Sequence, residues 1–168
     1  HEPIDSVRYI ANRSSGRLGI ALAESGAARG WSVELLLGPV GDVAVAAGVS
    51  VRRFVTTADL ERLLAERFPH CDILIQAAAV ADFRPLAGPG GADKIERSSE
   101  GLTLRLESTP DLVAACTRTR RPDQRVVAFA LEAREAMLER ARAKLERKGV
   151  DFIVANPLET MDAGEIEG

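Results

Sequence analysis

The sequence predicts an α/β fold: an open, mostly parallel sheet with helices on both faces and a projecting β arm. Three observations predict it. Short apolar runs alternate with Ala- and Leu-rich segments at helical spacing. Several runs are continuously apolar, the pattern of parallel strands covered on both faces. One stretch, residues 82–108, interrupts the alternation with Pro, Gly and two strand-like pieces.

Residues 18–29 form the first helix, Ala-rich and closed by Gly30, a residue suited to the left-handed position after a helix. Residues 32–37 are a strand stopped by Gly38-Pro39, and residues 49–55 a second strand. Residues 57–68 form a helix with Leu60, Leu63 and Leu64 on one face, opened by a Thr56-x-x-Asp59 cap. Residues 72–76 are a third strand. Within the interruption, Gly88-Pro89-Gly90-Gly91 reads as a flexible loop, and residues 93–97 and 102–106 as strands of a hairpin or arm spanning about 83–108. Thr109-Pro110-Asp111 reads as an N-cap followed by Pro at the first helical position, opening a helix to about Thr119. Residues 125–129 and 151–155 are strands. Residues 134–148 form a helix with Leu138, Ala141 and Leu145 in phase, ending at Gly149. The order is α-β-β-α-β, the interruption, then α-β-α-β, with right-handed crossovers. Residues 1–11 do not read as the strand that usually opens such a domain. The expectation is one domain over 1–168 that lacks its first strand.

Composition narrows the function. The chain has 168 residues, 46% hydrophobic and 28% charged, with a net charge of −3. This is globular composition, long enough to bury a core. The acidic balance argues against a nucleic-acid partner bound through phosphate neutralisation. Apolar runs fall far short of the ~20 residues of a membrane span, and no secretory leader is visible. The two cysteines, Cys71 and Cys116, show no Cys-x-x-Cys or His-cluster spacing. Neither a disulfide framework nor a zinc site is expected, and a reducing compartment is the default.

Of 22 basic residues, only Lys94, Lys144 and Lys148 are lysine. Lysine is a compact point charge where arginine is a planar fork, so each position merits a functional reading. Lys94 lies in the arm, where an ammonium can neutralise developing charge; a solvated surface lysine fits equally. Lys144 and Lys148 share a helix face, suited to an anion or to compensation of the helix dipole.

Two other stretches carry candidate chemistry. Asn12-Arg13-Ser14-Ser15-Gly16-Arg17-Leu18-Gly19 leads into a helix start, where free N–H groups and hydroxyls favour an anion; a simple capping turn is the alternative. It lacks the first glycine of the dinucleotide fingerprint. Ala77-Ala78-Ala79-Val80-Ala81-Asp82 follows a strand at the sheet edge where ligands bind in such folds. Small side chains there admit a ligand close to the backbone, and Asp82 can accept ribose hydroxyls; an alanine-rich helix start with a solvated aspartate is the alternative.

Glu2-Pro3-Ile4-Asp5-x-Val7-Arg8-Tyr9-Ile10-x-Asn12-x-Ser14-Ser15-Gly16, the alanine stretch continued through Phe83-Arg84-Pro85, and Ala141-Arg142-x-Lys144-Leu145-x-x-Lys148-Gly149-x-Asp151 followed by Val154-Ala155-Asn156 together resemble phosphopantothenoylcysteine synthetase. This is the ligase half of the bifunctional coenzyme A biosynthesis protein. The resemblance covers most of the chain and implies a Rossmann-like fold. It implies that CTP, with Mg²⁺, activates 4′-phosphopantothenate as an acyl-cytidylate, which L-cysteine then captures. It implies that Asn12 holds the intermediate, that Ser14, Ser15 and Gly16 line the phosphate region, and that Ala78 and Ala79 offer backbone contacts. Asp82 would bind the nucleotide and Phe129 border it, while Lys144 and Lys148 would meet triphosphate or base-side groups. Lys94 would serve cysteine coupling from the arm. The resemblance further implies a cytoplasmic homodimer and a fused or associated flavin-dependent decarboxylase; metal ligands stay unassigned.

The chain departs from that pattern at identifiable places. The arm reads Lys94-Ile95-Glu96-Arg97 where the family has Lys-Ile-Lys-Lys. Phe129-Ala130-Leu131-Glu132-Ala133 replaces Phe-Ala-Ala-Glu-Thr, and Asn156-Pro157-Leu158 replaces Asn-Asp-Val. The family's glycine turn and first strand before Glu2, and its closing strand and helix after Gly168, are expected but not in the sequence. Two further readings follow: a non-catalytic nucleotide-binding module of the same fold, and a nicotinamide-dependent reductase, which the missing Gly-x-Gly-x-x-Gly disfavours.

Overall fold

A computed structural model describes residues 1–86, 93–99 and 101–158. The Gly88-Pro89-Gly90-Gly91 loop of the arm lies outside the described residues. In chain order the elements are β1 (Glu2–Pro3), β2 (Tyr9–Ile10), α1 (Arg17–Ala28), β3 (Val33–Leu37), β4 (Val49–Arg53), α2 (Thr57–Arg67), β5 (Ile73–Gln76), β6 (Phe83–Pro85), β7 (Leu106–Ser108), α3 (Leu112–Thr119), β8 (Arg125–Glu132), α4 (Met137–Lys148) and β9 (Phe152–Pro157). The chain divides into two compact units, His1–Leu63 with Ala79–Pro110, and Leu64–Ala78 with Asp111–Gly168.

In the first unit, β3 and β4 pair in parallel, Val33 opposite Val49 through Leu37 opposite Arg53. The connection between them, residues 38–48, forms no helix, and both strands are short. Helix α1 buries Ile20, Ala23 and Gly26 on one side. A side-chain carbon at Gly26 would lie 3.1 Å from Val33, so the glycine lets α1 approach β3 closely. Gly30 takes φ +82° and donates its N–H to Ala27, ending α1 as expected.

Helix α2 opens with a capping box. The Asp59 N–H donates to the Thr56 hydroxyl, and the Asp59 carboxylate accepts from the Thr56 N–H, both at 3.1 Å. A second acid strengthens this start. Glu2, on β1, is buried and accepts from both the N–H and the hydroxyl of Thr57 at 2.7 Å. β1 and β2 pair antiparallel, so residues 1–11, read as strandless, contain a two-stranded ribbon.

The arm differs from its predicted form. Its strands are β6 and β7, paired antiparallel with Phe83 opposite Ser108 and Pro85 opposite Leu106. Residues 93–97 form no strand. The directly opposed Arg84 and Glu107 make a 2.8 Å ion pair that favours this register. Residues 93–97 hold one apolar side chain, Ile95, and its backbone groups are engaged by Asp5 and Arg8 rather than by a ladder.

In the second unit, β5, β8 and β9 form a parallel sheet with β8 in the centre. Val126, Ala128, Ala130 and Glu132 of β8 are buried, alternating with more exposed neighbours. Helix α4 packs against β9 and β8, and α3 against both α4 and β8. Gln124 is almost fully buried. Its amide donates to the Phe68 and Cys71 carbonyls at 2.7 Å, and its oxygen accepts from the Arg121 N–H, so it ties the entry of β8 to the chain entering β5.

The start of α3 corrects the sequence reading. The N-cap is Asp111, whose carboxylate accepts from the Ala114 N–H at 3.1 Å, and the helix begins at Leu112. Aspartate caps at least as well as threonine, and Thr109 is committed elsewhere. Residues 134–136 form a separate 3₁₀ turn before α4. Gly149, at φ +64°, ends α4 as predicted.

Candidate functional site

In the first unit, the two stretches singled out by sequence meet directly. The Asn12 side-chain amide donates to the Val80 carbonyl at 2.9 Å. Thr109 braces the same edge: its hydroxyl donates to the Ala81 carbonyl at 2.6 Å and its N–H to the Asp82 carbonyl at 3.0 Å. The edge is thus fixed through its main chain, while the Asp82 side chain stays exposed.

The turn after Asn12 enters α1 through Gly16, at φ +72° and ψ −8°. A side-chain carbon there would lie 2.8 Å from a Val40 methyl, so both the backbone angle and the space demand glycine. No side chain makes a capping hydrogen bond at this helix start. The Ser14 and Ser15 hydroxyls accept only at 3.4 Å from the Gly16 and Arg17 N–H groups. Ser14, Ser15 and Asn12 are exposed. First-turn N–H groups with weak partners and adjacent hydroxyls can receive an anionic oxygen.

Lys94 is also in the first unit, exposed, and forms no ion pair among the described residues. The residue after it is held firmly. Asp5 accepts from the Ile95 N–H at 3.1 Å, and Arg8 donates to the Ile95 carbonyl at 3.1 Å. The Asp5 carboxyl is held below the usual carboxylate range, first by the Val7 N–H, and also by Ile95 and Arg8, against burial. Ala79, at the beginning of the edge, is exposed.

The other predicted residues lie in the second unit. Ala78 is exposed just after β5. Phe129 is half-buried on β8, opposite Val154 of β9. Lys144 and Lys148 are both ion-paired. Lys144 pairs with Glu132, a carboxylate 6% exposed that also takes Arg140 at 3.4 Å. The Lys144 hydrogen bond is the leading cause that holds the Glu132 carboxyl below its usual range, against burial. Lys148 contacts both oxygens of Asp111, at 2.9 and 2.8 Å. For Asp111, burial pushes the carboxyl upward, but the Lys148 and Ala114 hydrogen bonds outweigh it and the net shift is downward.

Sequence reasoning gave no role to Glu2, Asp5, Asp111 or Glu132, and read Thr109 only as a helix cap. Each acts through a partner distant in the chain, which no local pattern signals. Glu2 and Asp5 offered one hint, two acids in a short opening segment beside apolar residues. Among the described residues, no group of three or more His, Cys, Asp or Glu could hold a metal ion, and no helix is long and apolar enough to cross a membrane.

The Rossmann-like α/β architecture is shared with solved proteins. The C-terminal domain of the coenzyme A biosynthesis bifunctional protein CoaBC superposes with a TM-score of 0.78 at 30% identity, covering 92% of this chain and 71% of that one. A model of the DNA/pantothenate metabolism flavoprotein C-terminal domain matches residues 1–166, and the chain belongs to that family. Among curated relatives, the CoaBC of Mycobacterium tuberculosis strain H37Rv is 39% identical over 175 residues, 99% of this chain and 41% of that protein. A protein named cysteine/cysteine sulfinic acid decarboxylase, from an unknown prokaryotic organism, is 42% identical over 163 residues, 97% of this chain and 45% of that protein. The chain thus spans less than half the length of these relatives.

Proposed function

We propose that the protein is a ligase joining 4′-phosphopantothenate to L-cysteine in coenzyme A biosynthesis. The observation that carries this reading is the Asn12–Val80 hydrogen bond. In a member of this family, it joins an anion-receptive helix start to a small-residue edge open to a nucleotide ester.

The chemistry has two halves. A carboxylate is a poor electrophile at neutral pH. Its oxygen attacks the α-phosphorus of CTP, pyrophosphate leaves, and an acyl-cytidylate forms. The amine of cysteine then attacks the acyl carbon, an amide forms, the carbon–oxygen bond to CMP breaks, and a proton is released. The first-turn N–H groups of α1, with Ser14, Ser15 and Gly16, receive phosphate oxygens. Asn12 holds the acyl-cytidylate. Ala78 and Ala79 present backbone groups without steric obstruction, and Asp82 accepts from the nucleotide. Phe129 borders the nucleotide, and Lys144 and Lys148, oriented by Glu132 and Asp111, meet its triphosphate or base side. Lys94 neutralises charge during cysteine attack.

Mg²⁺ would neutralise the triphosphate when bound. Carried on phosphate oxygens, it needs one or two carboxylates rather than a protein cage, a demand that exposed Asp82 fits. In this reading the protein is a single ligase domain acting as a cytoplasmic homodimer, its arm reaching the partner subunit. A flavin-dependent decarboxylase is fused or associated, in keeping with the bifunctional name and greater length of the CoaBC relative.

The test is pyrophosphate release from CTP that requires phosphopantothenate, followed by CMP release that requires cysteine. Thermal shifts with CTP, ATP, GTP and NADPH identify the preferred nucleotide. One observation favours a second reading, a nucleotide-binding module without coupling activity. The two α4 lysines are already neutralised by Glu132 and Asp111. CTP binding with no cysteine-dependent CMP release selects that module; absence of both overturns the ligase.

A further inference from the structure

Asp5 sits in the turn between β1 and β2, and its side chain has no exposed surface. Its two oxygens do different work. Oδ1 accepts from the Val7 and Arg8 N–H groups, both at 2.8 Å, and closes the turn. Oδ2 accepts from Arg8 Nη1 at 2.5 Å and from the Ile95 N–H at 3.1 Å. The same Arg8 nitrogen donates to the Ile95 carbonyl. Both main-chain groups of Ile95 are therefore held by side chains of one turn, in the way a neighbouring strand would hold them.

Burying a carboxylate requires that its acceptor sites be used, and here one of the four hydrogen bonds it accepts comes from a residue 90 positions away. The turn alone needs only Oδ1. Lys94 immediately precedes Ile95, and its side chain is exposed. Fixing the Ile95 peptide fixes the point from which the Lys94 side chain departs, leaving its ammonium free to reach a ligand.

We propose that Asp5 is a positioning residue, which with Arg8 docks the Ile95 backbone and so holds Lys94 for the cysteine-coupling half-reaction. The inference rests on the ligase reading for the role of Lys94. The clamp itself stands on geometry alone.

Asp5→Asn separates the two functions of the side chain. The amide oxygen still serves Val7 and Arg8, while the NH₂ group confronts two donors, Arg8 Nη1 and the Ile95 N–H. The Ile95 amide should then exchange with solvent about tenfold or more faster, with Val7 and Arg8 amides unchanged. In turnover, cysteine-dependent CMP release should fall about tenfold through kcat rather than KM, and phosphopantothenate-dependent pyrophosphate release by no more than about twofold. Lys94→Ala combined with Asp5→Asn should be no worse than Lys94→Ala alone.

Should Asp5→Asn fail to fold, Ile95→Pro removes the N–H donor and leaves the turn intact. It should reproduce the selective loss of CMP release. Unchanged Ile95 exchange, equal loss in both half-reactions, or additive effects with Lys94→Ala would overturn the proposal. Failure of the ligase reading is distinct: wild-type protein then releases neither product, while the exchange experiment still reports on the clamp.

Discussion

Asn12 and Val80 are 68 positions apart in the chain, yet the side-chain amide of one donates to the main-chain carbonyl of the other at 2.9 Å. The Val80 carbonyl thus spends one of its two lone pairs on Asn12. Thr109 likewise occupies the Ala81 and Asp82 carbonyls. Together the contacts select which backbone groups the Ala-rich edge offers.

Asn12→Asp tests this contact. A carboxylate oxygen would face the Val80 carbonyl, acceptor against acceptor. Because Asn12 is exposed, the melting temperature should barely change. Cysteine-dependent coupling should fall about tenfold or more, a loss of roughly 1.4 kcal/mol or greater in transition-state stabilisation. A coupling rate within about twofold of wild type would remove Asn12 from the mechanism.

Gly16→Ala tests the turn that begins α1. Left-handed backbone costs a residue with a side-chain carbon about 1–2 kcal/mol, and the new methyl would press on Val40. The urea midpoint should drop accordingly. Adding Val40→Ala should recover the steric part and leave the backbone part. Full recovery in the double variant would show that the positive φ carries no cost.

The Glu132 ion pairs predict a pH dependence. The carboxyl is held below its usual range, chiefly by Lys144. The native state therefore binds fewer protons than the unfolded chain as the group titrates, and stability rises with pH there. The contribution is complete above the ordinary glutamate range and is lost as pH falls through the lowered value. Urea unfolding measured from neutrality down to about pH 3 should show a shallower acid slope in Glu132→Gln than in wild type. Parallel slopes would contradict the assignment.

The thiols should react unequally. Burial pushes Cys116 up to about 11, and burial also raises half-buried Cys71. Thiolate is the reactive form, so both should react slowly with an alkylating reagent at neutral pH, Cys116 the slower. Mass spectrometry after timed labelling should find Cys71 modified first and Cys116 only on unfolding. Early modification of Cys116 would show that α3 opens locally.

The helices were legible because their signals are local. Thr56 and Asp59 stand three apart, and Gly30 and Gly149 lie where a left-handed residue is needed. The central strands were legible as short apolar runs, although β8 continues to Glu132 and β9 to Pro157, beyond their expected ends. The arm was misread because its pairing is not local. Residues 93–97 read as a strand, but the register is fixed by Arg84 against Glu107 and by Thr109 against Ala81, contacts that require the folded chain. The cap of α3 was misread because Thr109 and Asp111 are both good capping residues, and only the folded chain shows Thr109 already engaged. Of the site, the segments around Asn12 and Ala79 were visible as motifs. The partners that hold its charged groups, Asp5, Asp111 and Glu132, were not, because hydrogen bonds between distant polar residues leave no periodicity in a sequence.

Lys148 is gripped at two places. Its carbonyl accepts from the Thr117 hydroxyl at 2.6 Å, and its ammonium is chelated by Asp111. A lysine side chain carries about 2 kcal/mol of rotational freedom, which a ligand must ordinarily quench on arrival. Here folding has quenched that motion beforehand. The grip that stills the ammonium also screens it: an anion could engage Lys148 only by sharing it with Asp111 or by breaking that ion pair.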